Sequence, residues 1–135
     1  MSGSFIDTNV FLRYLTEDDP TKAERCLALL QRIERGEERA LTSPLVIFEV
    51  VFTLQRSYKL PKAEVRELVT PIIELRALHI PGKHLFYRAF DLYVEQNISF
   101  ADAYNAVYMD AHDADEVYSY DAEFDRVTRI NRVEP

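Results

Sequence analysis

The sequence predicts an α/β protein, a three-layer α/β/α sandwich around a mainly parallel sheet. Short apolar runs alternate along the chain with longer segments of helical period. Helix-start signals, Ser43 before Pro44 and Ser99 before an amphipathic run, separate those runs cleanly. With 135 residues, 3 Gly and no Gly/Ser-rich linker, residues 1–135 read as one domain without a boundary. Strands joined through helices pair in parallel, and ligands collect at the carboxyl ends of such strands.

Each element follows from local chemistry. Residues 4–7 read as a strand, and a helix runs from about Thr8 to Leu15. A turn at Asp19-Pro20 opens an amphipathic helix with Ala23, Leu27, Leu30 and Ile33 on one face, and Gly36 stops it. "RALTS" is a short strand. Ser43 and Pro44 begin the helix "PLVIFEVVFTLQRSY". Pro61 opens another helix to about Arg76, which Pro71 should kink or break near Thr70. "ALHI" is a strand, "KHLFYRAFDLYVEQN" a helix, and Ser99 starts the helix "FADAYNAVYMDAHDA". "EVYSY" is a strand, "DAEFDRV" a helical turn, and "TRINRV" a last short strand.

Bulk properties exclude several classes. Hydrophobic content of 47% and charged content of 29% describe a globular chain rather than a disordered one. Charge interrupts every apolar stretch well before the length of a membrane span, and "MSGSFIDTN" lacks the pattern of a signal peptide. Cys26 is the only cysteine, which excludes an internal disulfide and a cysteine-based zinc cluster. It sits among apolar residues and is expected to be a small buried apolar side chain in a reduced, cytoplasmic protein. The net charge of −7 argues against coating nucleic acid by bulk electrostatics. It is compatible with a local basic rim, and with an acidic cluster that needs divalent metal.

Four acids stand out. Asp7 ends the first strand, where it can cap the next helix or lie at the functional edge of the sheet. Glu49 is the only charge between Pro44 and Leu54. A helix apolar nearly all round is expected to be buried, and a buried carboxylate must be paired, hydrogen-bonded or metal-bound. Asp102, three residues after Ser99, fits a capping box with Asp in place of Glu or Gln. It also points to the same end of the domain as Asp7, and Asn105 shares its face. Asp121 follows a strand and precedes a helical turn, repeating the layout of Asp7, and Asp125 lies four residues on. Carboxylates from four segments gathered at one sheet edge repel unless cations are present. Hard oxygen ligands suit Mg²⁺ or Mn²⁺, and such ions activate water and offset charge on phosphoryl oxygens.

In "FIDTNVFLRYL", the isolated Glu49 of "SPLVIFEVVFTL", "ISFADAYNAVYM" and "VYSYDAEFDRV", the chain resembles PIN domains, whose four acidic motifs come in this order. The overall length and brief strand–helix pattern are most similar to the VapC toxins of bacterial and archaeal toxin–antitoxin pairs. The resemblance implies an α/β/α sandwich and an Mg²⁺/Mn²⁺-dependent endoribonuclease. It also implies a homodimer silenced by an antitoxin whose C-terminal segment lies over the active site. By matched position, Asp7, Glu49, Asp102 and Asp121 are the metal-binding carboxylates, and Asp125 is an outer or occasional fifth acid. Asn9 orients Asp7, and Ser119 supports Asp121 through its hydroxyl. The implied reaction is hydrolysis of an RNA phosphodiester by a metal-activated water, with Glu49 as ligand or water-orienting group.

Other features read more plainly. His79, His84 and His112 fall outside the matched motifs. Arg13 and Arg126 are candidates for a phosphate-contacting rim, whereas Arg32, Arg35 and Arg39 interleave with Glu34, Glu37 and Glu38 as a solvated face. Tyr118 and Tyr120 alternate on a strand and are expected in the core. Phe11, Leu12, Leu15, Leu45 and Phe48 fit either core packing or an antitoxin groove. Three alternatives stand beside the toxin reading: a PIN nuclease with a housekeeping RNA-processing role, a non-catalytic RNA-binding module, and phosphoryl transfer through an aspartyl intermediate. The last would want a second Asp where Asn9 stands.

Overall fold

Three short parallel strands organise the first half of the chain. β1 (Ser4–Phe5), β2 (Ala40–Leu41) and β3 (Leu78–His79) lie in the order β1-β2-β3. Ser4 pairs with Ala40 and Ala40 with Leu78, both in parallel register. The computed structural model describes residues 3–135, so Met1 and Ser2 of the expected 1–135 domain lie outside the described residues. The chain divides into two compact units, one ending at Lys83 and the other His84–Pro135.

In the first unit the helices are α1 (Thr8–Thr16), α2 (Pro20–Glu34), α3 (Pro44–Arg56) and α4 (Lys62–Ile73). Their starts follow from capping chemistry. Asp19 accepts from the Lys22 N–H at 3.1 Å, and Ser43 Oγ accepts from the Val46 N–H at 3.3 Å, each just ahead of a proline at the first helical position. Glu17 closes α1 in the left-handed region at φ 55°, and Gly36 follows α2 at φ +75°. α4 does not break at Thr70: Pro71 is accommodated in its last turn, and the helix stops at Ile73, short of Arg76. The lost donor there weakens only the terminal turn, so the helix ends rather than kinks.

The buried set of this unit includes Phe11, Ile33, Val50, Val51, Leu54, Val65, Val69 and Leu78. Two expectations about faces need correction. Leu27 is 41% exposed and leaves the apolar face of α2 to Ala23, Leu30 and Ile33. α3 is not buried all round. Val46, Ile47, Val50, Val51 and Leu54 are covered, whereas Leu45, Glu49 and Phe52 form an exposed stripe at helical spacing. Arg56 lies over the Phe52 ring at 5.7 Å on the same stripe. Of the residues read as core or groove, Phe11 is fully buried, Leu12, Leu15 and Phe48 are half-buried and Leu45 is open. Cys26 is half-buried, and desolvation raises its thiol above the ordinary value.

The second unit contains α5 (His84–Glu95), α6 (Phe100–Ala111), β4 (Glu116–Tyr118), a 3₁₀ turn (Ala122–Arg126) and β5 (Asn131–Val133). β4 and β5 pair in parallel, Glu116 with Asn131 and Tyr118 with Val133. α5 and α6 pack through aromatic rings. Phe90 and Phe100 lie 4.7 Å apart, and Tyr93 meets Phe100 edge-on at 5.4 Å. Burial pushes the Tyr93 hydroxyl up to about 12. Tyr118 and Tyr120 are not core. They are 71% and 73% exposed, because β4 ends at Tyr118 and nothing among the described residues covers either ring. The "QRIERGEER" stretch is a solvated face, with Arg32 paired to Glu38 and Arg35 to Glu37 in the open. Among the described residues, no helix is long and apolar enough to cross a membrane.

Candidate active site

Two groups of acids, one in each unit, contain the carboxylates singled out by the sequence. In the first unit Asp7 is the N-cap of α1 and accepts from the Thr8 N–H at 2.8 Å. Thr8, itself only 9% exposed, donates its hydroxyl to Glu49 Oε2 at 3.1 Å. One threonine therefore holds both acids: its backbone fixes Asp7 and its side chain fixes Glu49. Glu49 is exposed rather than buried, so the argument from its burial fails and the Thr8 contact is what orders it. The edge beneath is stitched by Thr42, whose buried hydroxyl donates to the Ile6 carbonyl at 2.7 Å. Asn9 is exposed.

In the second unit Asp102, Asp121 and Glu123 each offer an oxygen, and these oxygens lie within 4.8 Å of one another. Asp102 stands in the first turn of α6, whose N-cap is Ser99. Ser99 Oγ accepts from the Asp102 N–H at 3.1 Å, which is the local half of a capping box. The reciprocal half is not made by Asp102. The Ser99 N–H donates instead to Glu123 Oε1 at 2.9 Å, from a residue 24 positions on. The Asp102 carboxylate is thus released from capping and faces the other two acids.

Asp121 caps the 3₁₀ turn, accepting from the Glu123 N–H at 2.9 Å, and donates its own N–H to Ser119 Oγ at 2.9 Å. Asp125 lies outside the three-acid cluster. Both its oxygens bind Arg132, at 3.0 and 3.2 Å, and Arg132 also donates to the Ser119 carbonyl at 3.2 Å. Asp125 therefore bears on Asp121 through Arg132, which bonds the Ser119 carbonyl and whose charge also helps hold Asp121 below its ordinary value. Arg126 donates to the Asn97 carbonyl at 2.6 Å. Asn105 is exposed on α6, and His112 stacks on Tyr108 at 4.1 Å, away from the named acids in sequence.

The electrostatics of the cluster are lopsided. Burial, then the hydrogen-bonded and charged neighbour Asp121, then Glu123, push the Asp102 carboxyl up to about 7. Asp121 is held below its ordinary value, chiefly by its bond to Asp102 and then by the Glu123 N–H. The enclosed oxygen Oδ2 of Asp102 meets no hydrogen-bond donor. Asp102 shares its cluster with the Asp121 and Glu123 carboxylates, which accept and cannot donate unless one carries a proton. An enclosed acceptor crowded by acceptors is stable only with a proton or a cation among them. All-oxygen donors of this kind fit Mg²⁺ or Mn²⁺.

Thr8 and Glu123 were missed in the sequence. Thr8 lies inside the "DTN" stretch but reads as an ordinary first-turn residue, and its contact with Glu49 spans 41 positions. Glu123 reads only as part of a helical turn. The one local hint was Asp102 standing where a complete capping box prefers Glu or Gln.

With every strand pair among the described residues parallel, helices between the strands and acids just beyond their ends, the arrangement is that of an α/β domain with an acidic site suited to a divalent cation. The PIN domain family profile matches residues 4–130, and the chain belongs to the PIN domain family. Its helix-rich, parallel-sheet architecture agrees with the three-layer α/β/α fold expected of it. Among individual proteins, the chain is similar to a VapC ribonuclease of Aquifex aeolicus (strain VF5), 24% identical over 122 residues that cover 90% of each chain.

Proposed function

We propose that this protein is a metal-dependent endoribonuclease that hydrolyses RNA phosphodiesters, the toxin of a VapBC-type pair. The observation that carries the reading is the gathering of Asp102, one of whose oxygens is enclosed and without a donor, with Asp121 and Glu123. The family match and the similarity to a VapC ribonuclease support it. The match runs across both compact units, which supports treating them as one PIN domain.

In this reading Asp7, Glu49, Asp102 and Asp121 hold Mg²⁺ or Mn²⁺. Once bound, the ion supplies an activated water and offsets charge on the phosphoryl oxygens. The chain itself contributes geometry. Thr8 fixes the two acids of the first unit, and Ser119 with the Glu123 N–H fixes the backbone and carboxylate of Asp121. The acids also lower the potential that an RNA phosphate meets, so cation charge is needed for substrate as well as for water. The remaining partners we propose are a cognate antitoxin and a second copy of the chain, in the cytoplasm.

The test is cleavage of a structured RNA with Mn²⁺ by the wild type and by Asp7→Asn. Cleavage by the wild type alone, together with growth arrest on expression that a small neighbouring protein relieves, is the expected result. An unaltered rate in Asp7→Asn removes the metal-nuclease reading.

A further inference from the structure

We propose that Glu123 is a positioning residue that keeps Asp102 available to metal by taking over half of its helix-capping duty. The claim rests on the metal-nuclease reading for one of its two readouts only. Ser99 is the N-cap of α6 and satisfies the Asp102 N–H through its hydroxyl. In a complete local box, the acid at the third helical position would turn back to accept from the N-cap N–H. Asp102 occupies that position, and its side chain has the chemistry for the return bond. Here the Ser99 N–H is already satisfied by Glu123 Oε1 at 2.9 Å. The same residue donates its N–H to Asp121 Oδ1 at 2.9 Å. Glu123 thereby ties the start of α6 to the turn that carries Asp121, and it takes the N-cap N–H that Asp102 would otherwise accept from.

The enclosed oxygen of Asp102 is the second observation. An acid left to choose would leave a donor-less, acceptor-crowded position for a free backbone N–H two to three residues away. The N-cap N–H that a capping box would offer it, that of Ser99, is occupied by Glu123. Removing the Glu123 side chain frees that N–H, and Asp102 should rotate to close the local box. The helix would remain capped, so the fold would persist while a metal ligand was lost from the cluster.

The substitutions separate this role from that of a simple charge ligand. Glu123→Gln keeps a carbonyl oxygen for the Ser99 N–H and loses the charge. Glu123→Ala loses both. Titration of Mn²⁺ alone into each protein is expected to show Glu123→Gln near wild-type affinity and Glu123→Ala weakened by about 10- to 100-fold, the range for groups that orient a ligand. The thermal midpoint of Glu123→Ala in chelator is expected to stay at or above that of the wild type. In the second readout, a crystal structure of metal-free Glu123→Ala is expected to show the Asp102 carboxylate on the Ser99 N–H. Equal losses in the Gln and Ala variants would make Glu123 a charge ligand and overturn the proposal, as would wild-type affinity in Glu123→Ala. Asp102 still facing Asp121 in the Ala variant overturns it too. Should the wild type take up no Mn²⁺, the nuclease reading fails, and the position of Asp102 in the Ala variant alone decides this proposal.

Discussion

In the first unit two carboxylates are held by a single threonine; in the second, three carboxylates cluster and one of them, Asp102, has an enclosed oxygen that meets no donor. The first pair is exposed to solvent, and each acid has a protein donor of its own. The second group is partly enclosed and held mainly through backbone N–H groups, with repulsion left unrelieved. The difference teaches that acids of one family pattern need not be equivalent. Hydroxyl-bridged acids at a surface are ordered at little electrostatic cost, whereas crowded acids store repulsion that a proton or a cation releases.

The largest effect that sharpens this contrast comes from the crowded side. Asp102→Asn removes one charge and gives the enclosed site a donor. It should abolish Mn²⁺-dependent RNA cleavage, by more than the roughly 100-fold upper range for supporting groups. In chelator the same variant should melt higher than the wild type, as read by calorimetry. A lower midpoint would mean that the cluster is not under repulsion.

Next is pH. The Asp102 carboxyl rises from 3.8 in a model peptide to about 7 in the folded protein. The folded state then binds the proton more tightly than the unfolded state between those values. The contribution to stability is full below about pH 4 and is lost as pH rises through about 7. Thermal midpoints in chelator should fall across that window, and Mg²⁺ or Mn²⁺ should restore them near pH 7.5. The slope should flatten in Asp102→Asn. An unchanged slope in that variant would place the titration elsewhere.

Smaller effects belong to the first unit. Thr8→Val keeps the shape and deletes the hydroxyl that Glu49 accepts from, at a stability cost of about 1 kcal/mol. Mn²⁺ affinity should fall by about 10-fold, since Glu49 remains but is no longer oriented. Wild-type affinity in Thr8→Val would break the parallel between the two units. Smallest of all is Asp125→Asn, whose partner Arg132 acts on Asp121 only as a minor charge and through Ser119. Its Mn²⁺ affinity should change by less than the roughly 10-fold lower bound for direct support.

The parts legible in the sequence are those fixed by neighbours in the chain. Ser43 before Pro44, Asp19 before Pro20 and Ser99 before α6 announce helix starts because a cap acts within three residues. Asp7 and Asp121 stand at strand ends for the same local reason, and both do cap the turn that follows. What failed depends on packing. The run "PLVIFEVVFTL" suggested burial on every side, yet Leu45 and Phe52 share an open stripe with Glu49 at 65% and 61% exposure. Tyr118 and Tyr120 alternate as core residues would, but β4 is only three residues long and leaves them uncovered. The roles of Thr8 and Glu123 span 41 and 24 positions, and no window of local pattern contains both partners.

The proposed function depends most on the reading that Asp7 and Asp102 are both needed for metal uptake. The most direct measurement is calorimetric titration of Mn²⁺ into the wild type, Asp7→Asn and Asp102→Asn at one pH. The account predicts tight uptake by the wild type and a loss exceeding about 100-fold in both variants, from either unit alike. Wild-type uptake by Asp7→Asn, with loss confined to Asp102→Asn, would contradict it.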